Sequence, residues 1–307
     1  QALQEARERF GQFDRIHSVV AAHQGEVFFE ETWGGPGPRV PVNIKSVSKT
    51  ILSALVGNAI ERGLIRDVDQ PITELLANLP PNANPRLNEI TVGNLLSMQA
   101  GLERTSGSNY GRWVVSNDWV GFVLSRPFVA EPGGERLYST GSSHLLSAIL
   151  TDVSGRSTHE LAVEWLSLPL NVSIPPWPRD PQGIFFGGND MVLSPYAMLR
   201  FGEAYRQGGA LEGKRIVTKR WIDASWEGRG NSRWTGDAYG YGWFITEIAG
   251  EVTYYARGFG GQLIYVIPAR EMTVVITSSP NPPSPGGRYA RELTEVVEDT
   301  LIRAIHN

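Results

Sequence analysis

Ser46 and Lys49 stand three residues apart in the run Ile44-Lys45-Ser46-Val47-Ser48-Lys49-Thr50, where an extended, proline-interrupted segment gives way to a strongly helical one. On a helix, residues at that spacing share a face with Cβ atoms about 5–6 Å apart, so a hydroxyl at the first turn and an amine one turn later can exchange a proton. That is the chemistry of a serine nucleophile served by an amine base. A Ser-x-x-Lys match arises by chance about once in a chain of this size. Here the only lysines are Lys45, Lys49, Lys214 and Lys219, which makes an accidental match rarer. The bland alternative is that Ser46 only caps the helix while Lys49 reaches out to solvent.

The helix that must hold the pair is legible. Val47, Ile51, Leu55 and Ala59 form one apolar stripe with Leu52, Val56 and Ile60 beside it, and Gly63 marks the C-terminal stop. A helix apolar all round is expected to be buried. Burial disfavours a protonated amine, so Lys49 is expected to serve as a base near neutral pH. Ser46 gains from the helix N-terminus, where unpaired NH groups and the dipole favour developing negative charge.

Two further elements could do chemistry. Tyr138-Ser139-Thr140 follows the turn Glu131-Pro132-Gly133-Gly134-Glu135, and a loop tyrosine beside an ammonium can carry protons. The commoner use of such a tyrosine is packing, with its hydroxyl hydrogen-bonded. Ala256-Arg257-Gly258-Phe259-Gly260-Gly261-Gln262 places glycines between two strands, where a backbone NH could complete an oxyanion hole. The plain alternative is a hairpin turn or bulge, and no helix follows to make a dinucleotide fingerprint.

Around these, the pattern predicts a helix from Gln4 to Phe13 and strands Ser18–His23 and Glu26–Thr32 joined by a Gln24-Gly25 turn. Then come the nucleophile helix, a short helix from Thr91 to Met98, and helices Ser142–Val153 and Ser157–Leu166. A proline-rich loop from Leu170 to Asp190 follows, with a helix opened by Ser194-Pro195. Strands return at Tyr239–Ile248, Glu251–Arg257, Gln262–Pro268 and Met272–Ser278, before a closing helix from Tyr289 to Ile305. The expected fold class is α+β, an α/β sandwich in which an antiparallel sheet built from both chain ends is flanked by helices, with an inserted, mostly helical lobe. Residues 1–66 and 191–307 are expected to form the sheet domain and residues 67–190 the lobe of one two-lobed unit.

The 307 residues can bury a large core. A formal charge of -4 argues against nucleic acid as a partner, because phosphate binding needs a basic face. With no cysteine, disulfides, thiol nucleophiles and Cys-ligated metals are excluded. No apolar stretch approaches about 18 residues, so no membrane span is expected. The chain starts with Gln1 and shows no signal-like apolar segment, as expected of a processed or trimmed form. The compartment stays open between periplasmic or secreted and cytoplasmic, and so does the oligomeric state. Asn171-Val172-Ser173 fits a glycosylation acceptor, a short and common pattern. The histidines His17, His23, His144, His159 and His306 are scattered with no His-Glu-x-x-His pattern, so no metal is expected. Asp67 and Asp69 read as a capped turn before Pro71 rather than an acid pair.

The order Ser-x-x-Lys, then a tyrosine motif about 90 residues on, then a Gly-containing strand pair resembles the serine β-lactamase and penicillin-binding-protein superfamily. The likeness is to its class C-like branch, which includes family VIII carboxylesterases and 6-aminohexanoate-dimer hydrolase. Leu95-Leu96-Ser97-Met98-Gln99-Ala100-Gly101-Leu102, Glu131-Pro132-Gly133, Gly187-Gly188-Asn189-Asp190-Met191, Tyr239-Gly240-Tyr241-Gly242-Trp243 and Gly258-Phe259-Gly260-Gly261-Gln262 also look like that branch.

The resemblance implies a β-lactamase/transpeptidase-like fold and a cofactor-free serine hydrolase. In it, Ser46 is the nucleophile, Lys49 and Tyr138 share general base and acid work, and the NH groups of Ser46 and Phe259 hold the oxyanion. Two departures bear on substrate. Thr140 replaces the usual Asn, and Ala256-Arg257-Gly258 replaces Lys-Thr-Gly, with Arg257 a substitute cation if it points inward. These favour a small ester or linear amide substrate over a β-lactam or a D-Ala-D-Ala peptide. A non-catalytic acyl-binding sensor is a further alternative. Of the aromatic residues Tyr110, Trp113, Trp119, Trp177 and Tyr241, most are expected to pack. Tyr110 is carried forward with Gly258 and Gln262 as substrate-binding candidates.

Overall fold

The strands at the two ends of the chain meet in one sheet. The computed structural model describes residues 1–230, 236–283 and 287–305. In chain order it contains β1 (Ile16–His23), β2 (Glu26–Thr32), β3 (Val42–Asn43), β4 (Val192–Leu193), β5 (Ala210–Leu211), β6 (Lys214–Arg215), β7 (Ala238–Tyr239), β8 (Phe244–Ile248), β9 (Glu251–Gly258), β10 (Gln262–Ile267) and β11 (Met272–Ser278). Seven of these form the main sheet in the order β2-β1-β11-β10-β9-β8-β7, every pairing antiparallel. β3 pairs with β4, and β5 with β6, in separate ribbons.

Side-chain alternation divides the sheet residues between two cores. Val19, Ala21, Leu263, Tyr265, Met272, Val274 and Ile276 face a layer made by the first helix, Ala2–Gly11, and the last, Arg288–Val296 with its continuation to Ile305. Val20, Ala22, Ile264, Val266 and Val275 face the helix Val47–Glu61, called the nucleophile helix after the role expected of Ser46 at its start. Because both faces are covered, these strands read as nearly continuous apolar runs. The nucleophile helix lies between β9–β10 and the helix Thr140–Ser154, and all its residues from Val47 to Ala59 are buried, as its all-round apolar pattern requires.

Local signals behave as their chemistry dictates. Ser157 accepts from the Glu160 NH at 3.1 Å and Ser194 from the Ala197 NH at 3.0 Å, each capping its helix. Gln24 and Gly25 turn the first hairpin with φ of +51° and +83°. Two runs depart from expectation. Tyr239–Ile248 is a hairpin of β7 and β8 rather than one strand, because Gly240-Tyr241-Gly242 reverses the chain with Gly242 at φ +83°. The helix expected over Ser157–Leu166 is α-helical only over Thr158–Ala162 and then widens into a π turn, Val163–Ser167. Among the described residues, no helix is long and apolar enough to cross a membrane.

Gly57 tests the packing of the nucleophile helix. In a helix interior alanine normally gains about 0.5–1 kcal/mol over glycine. At Gly57 an added Cβ would lie 2.5 Å from Cδ1 and Nε1 of Trp221. Gly57→Ala is therefore expected to destabilise the protein by about 1–3 kcal/mol, read as a lower denaturation midpoint; a raised midpoint would contradict this packing.

Candidate active site

Ser46 sits at the N-cap of the nucleophile helix with helical backbone angles, φ -72° and ψ -3°, and its side chain makes no cap hydrogen bond. Its Oγ instead accepts from Lys49 Nζ at 3.0 Å, so the capping alternative fails. Lys49 is 4% exposed and does not reach solvent. Its two other protons go to Thr140 Oγ1 at 3.2 Å and the Gly188 carbonyl at 2.8 Å. An ammonium has three donors and no acceptor, so this set is complete.

The backbone entering the helix is strained. Lys45 has φ +50°, a left-handed conformation that costs a non-glycine residue about 1–2 kcal/mol. A network holds it there. The Lys45 NH donates to Asn43 Oδ1 at 2.8 Å, Ser48 Oγ donates to the Lys45 carbonyl at 2.6 Å, and Lys45 Nζ lies 3.4 Å from Asp190 Oδ1, which also accepts from Asn43 Nδ2. The β3–β4 ribbon thereby ties the start of the nucleophile helix to the segment that follows Gly188.

Tyr138 is brought in by the turn before the helix Thr140–Ser154. The first NH groups of that helix are satisfied from a distant loop: Ser106 Oγ accepts from the Thr140 NH at 2.9 Å and Thr105 Oγ1 from the Gly141 NH at 2.9 Å. Arg104 Nε donates to the Tyr138 carbonyl at 2.5 Å. Lys49 Nζ lies 4.8 Å from the centre of the Tyr138 ring. Burial pushes the phenol up, but the Lys49 ammonium, contacts with the Lys49 and Ser46 side chains and the Arg136 guanidinium outweigh it and hold Tyr138 below the ordinary tyrosine range.

The third wall is the turn between β9 and β10. A Cβ on Gly258 would stand 2.3 Å from the Ile44 carbonyl, so only glycine lets β9 end against the residues that precede Ser46. Among the described residues, the backbone NH groups of Ser46 and Phe259 have no hydrogen-bond acceptor. The Phe259 ring is 50% exposed.

The remaining candidates divide. Tyr110 is one step from the centre, its hydroxyl accepting from Asn189 Nδ2 at 2.8 Å beside Gly188. Gln262 is 1% exposed and its amide is spent on its own backbone surroundings: Nε2 donates to the Ser278 carbonyl at 2.7 Å and Oε1 accepts from the Ser278 NH at 3.0 Å. It therefore fixes the turn that carries Phe259 rather than presenting a free amide to substrate. Arg257 points to the outer face of the sheet, into a cleft it shares with Asp237, Tyr255, Tyr265 and Arg291, and does not stand in for the missing lysine. Trp113, Trp119, Trp177 and Tyr241 are buried packing residues, as expected of most of the aromatics. Asp67 Oδ1 accepts from the Asp69 NH at 2.9 Å, the capped turn read from sequence. His306 lies outside the described residues. Sequence reasoning missed the Gly188 carbonyl and the Thr105 and Ser106 hydroxyls; only the Gly187-Gly188 pair gave a visible signal, and it did not reveal the role.

A family model described as Beta-lactamase matches residues 12–298. No curated protein matches the chain. Among solved structures, a Bacillus anthracis protein named as a candidate 6-aminohexanoate-dimer hydrolase aligns with TM-score 0.79 and 20% identity, over 99% of this chain and 81% of that one. EstCE1, a hydrolase with promiscuous acyltransferase activity, gives TM-score 0.76 and 19% identity over 97% of each chain. A family VIII carboxylesterase gives 0.73 and 17% over 96% of each. The shared fold is the β-lactamase/transpeptidase-like one.

The charge of Lys49 and the ionisation of Tyr138 are coupled by this geometry. Replacing the ammonium in Lys49→Met leaves burial as the main influence on the phenol, so the Tyr138 titration is expected to move upward. Spectrophotometric titration against a Tyr138→Phe blank reads the shift; an unmoved titration would show that the ammonium does not set it.

Proposed function

Because the chain belongs to the beta-lactamase family, we propose that it is a serine hydrolase that cleaves carboxylic esters or linear amides through an acyl-enzyme on Ser46. The observation that carries this reading is the Lys49 ammonium, which donates to Ser46 Oγ while sitting against a phenol held below its ordinary range. A hydroxyl, an amine and an acidified phenol in mutual reach can pass one proton among them.

In the forward step Ser46 Oγ attacks the acyl carbonyl and gives up its proton to the Tyr138 oxygen in its phenolate form, which the Lys49 ammonium beside it stabilises. The oxyanion rests on the NH groups of Ser46 and Phe259, and its collapse breaks the bond to the leaving group, which takes the proton back. Water then attacks the acyl-enzyme, the same pair removing its proton and returning it to Ser46. Residues 1–66 and 191–307 on one side and 67–190 on the other act as two lobes of this unit, with the nucleophile at their seam. Ala256 at the motif-lysine position and the outward Arg257 support uncharged esters and linear amides over β-lactams or D-Ala-D-Ala peptides. EstCE1 and the family VIII carboxylesterase, which share the fold, are in keeping with that choice.

The test is the time course of p-nitrophenyl butyrate hydrolysis by wild type and Ser46→Ala. Sustained turnover in wild type and none in the variant is expected, with Tyr138→Phe lower than wild type by about 10²–10⁴. Equal rates in wild type and Ser46→Ala would sink the assignment of the nucleophile. A single stoichiometric burst with no further product would replace the hydrolase with an acyl-binding sensor.

A further inference from the structure

The buried helix Thr140–Ser154 carries a seam of polar side chains, Thr140, Ser143, His144 and Ser147, at helical spacings. Opposite it lie residues 185–190, which belong to no named strand: Phe185 forms an isolated bridge with Arg179 and the chain then turns through Gly187–Asn189. Their buried backbone groups still need partners: the Phe186 NH and carbonyl find them in the Pro178 carbonyl and Trp177 Nε1, and the seam supplies two more. Ser147 Oγ donates to the Phe185 carbonyl at 2.6 Å, and His144 Nδ1 accepts from the Gly187 NH at 3.1 Å. Gly188, the next residue, is the one whose carbonyl accepts from Lys49 Nζ at 2.8 Å. Gly188 has φ +113°, and a Cβ on it would lie 2.5 Å from Ser143 Cβ, so the segment is seated as closely on the helix as backbone allows.

His144 is in turn held by Asp180. His144 Nε2 lies 2.8 Å from Asp180 Oδ2, and both side chains are 0% exposed. Asp180 Oδ1 accepts from the NH groups of Gln182 and Ile184, each at 2.9 Å. The ring edges of Trp113, Trp119 and Phe186 enclose the imidazole. A backbone NH can only donate, so Nδ1 carries the lone pair and the ring proton sits on Nε2, facing the carboxylate. A buried carboxylate–imidazole pair is a costly replacement for apolar packing, and neither member is a hydrogen-bond partner of Ser46 or Lys49. Among the described residues, the side-chain hydrogen bonds of the pair that lead toward the site run through Gly187, the neighbour of Gly188.

We propose that Asp180 and His144 are positioning residues for the reaction assigned to Ser46. Asp180 fixes the tautomer, His144 Nδ1 fixes Gly187, and the Gly188 carbonyl so held aims the Lys49 ammonium at Ser46 Oγ. This inference rests on the serine-hydrolase reading of the site.

Asp180→Asn tests it with almost no change in shape. The carboxamide can still accept from Gln182 and Ile184, but its NH₂ then faces Nε2, which favours the opposite tautomer and sets an Nδ1–H against the Gly187 NH. Burst titration with p-nitrophenyl butyrate counts active sites, separating lost protein from slowed chemistry. The expected result is a full burst, KM within about twofold of wild type and kcat per titrated site lower by about 10–100-fold, as for a displacement of up to about 1 Å in a catalytic group. His144→Asn, which keeps an acceptor at the Nδ1 position, is expected to exceed His144→Leu in kcat per site. An unchanged per-site kcat in Asp180→Asn, or equal values for His144→Asn and His144→Leu, overturns the proposal. Should these buried variants fail to fold, the long-range proton–nitrogen spectrum of the wild-type protein decides: a neutral Nε2–H ring at His144 is expected, and an Nδ1–H tautomer or an imidazolium overturns it. Absence of turnover in wild type would sink the hydrolase reading instead, and would be seen before any variant is compared.

Discussion

One buried ammonium organises this molecule. Lys49 Nζ reaches Ser46 on its own helix, Thr140 at the start of another and the carbonyl of Gly188 in a turn. A buried cation left without acceptors costs several kcal/mol, and in the folded protein three segments converge to supply them. The nucleophile helix cannot escape the constraint, because it is covered from Val47 to Ala59 and has no polar face to turn toward water. The burial of the helix and the geometry of the site thus depend on the same contacts.

Such convergence demands backbone conformations that ordinary residues avoid. Lys45, Met98 and Asp190 all adopt positive φ, at +50°, +63° and +65°. Lys45 immediately precedes Ser46, Met98 accepts from the Leu137 NH beside Tyr138, and Asp190 follows the Gly188 segment. Strain of this kind costs about 1–3 kcal/mol per residue and persists only where the surroundings over-determine it. Here the surroundings are the Asn43–Asp190–Lys45 network and the interlocked ends of β3 and β4. Where backbone must touch backbone, at Gly188 and Gly258, even a methyl group would collide.

Much of this was legible in the sequence, for reasons that are local. A 3.6-residue apolar period, Ser157 and Ser194 before their helices and Gly63 after one are signals carried by neighbouring side chains. The sheet built from both ends was legible because the N-terminal strands alone could not bury themselves. What escaped reading has no side-chain signature or depends on distant parts of the chain. The Gly188 carbonyl is chemically like any other carbonyl. Thr105 and Ser106 cap a helix that starts 34 residues later, and His144 meets Asp180 36 residues away. The turn that splits Tyr239–Ile248 into two strands was signalled by Gly240 and Gly242, but they are embedded among aromatic and β-branched residues that suit a strand, and single glycines also occur in strands as bulges. Gln262 looked like a polar group at the mouth of the site because burial is a property of the fold and not of the residue.

The most consequential point turns on strand parity. Successive residues of β9 face opposite sides of the sheet, so Ala256 joins the core against the nucleophile helix while Tyr255 joins the core under the terminal helices. Gly258 shares the face of Ala256, against Ile44, and Arg257 shares the face of Tyr255. An arginine one position from the missing lysine is therefore not a displaced lysine. The length of its side chain cannot help, because the sheet stands between its guanidinium and Ser46. The face of β9 that meets the nucleophile carries a methyl group and a glycine where a motif cation would stand, and a substrate carboxylate would be desolvated there with no partner from that strand. On the proposed hydrolase reading, the cost of burying an unpaired charge would then disfavour charged acyl groups at that wall, by exclusion and not by attraction.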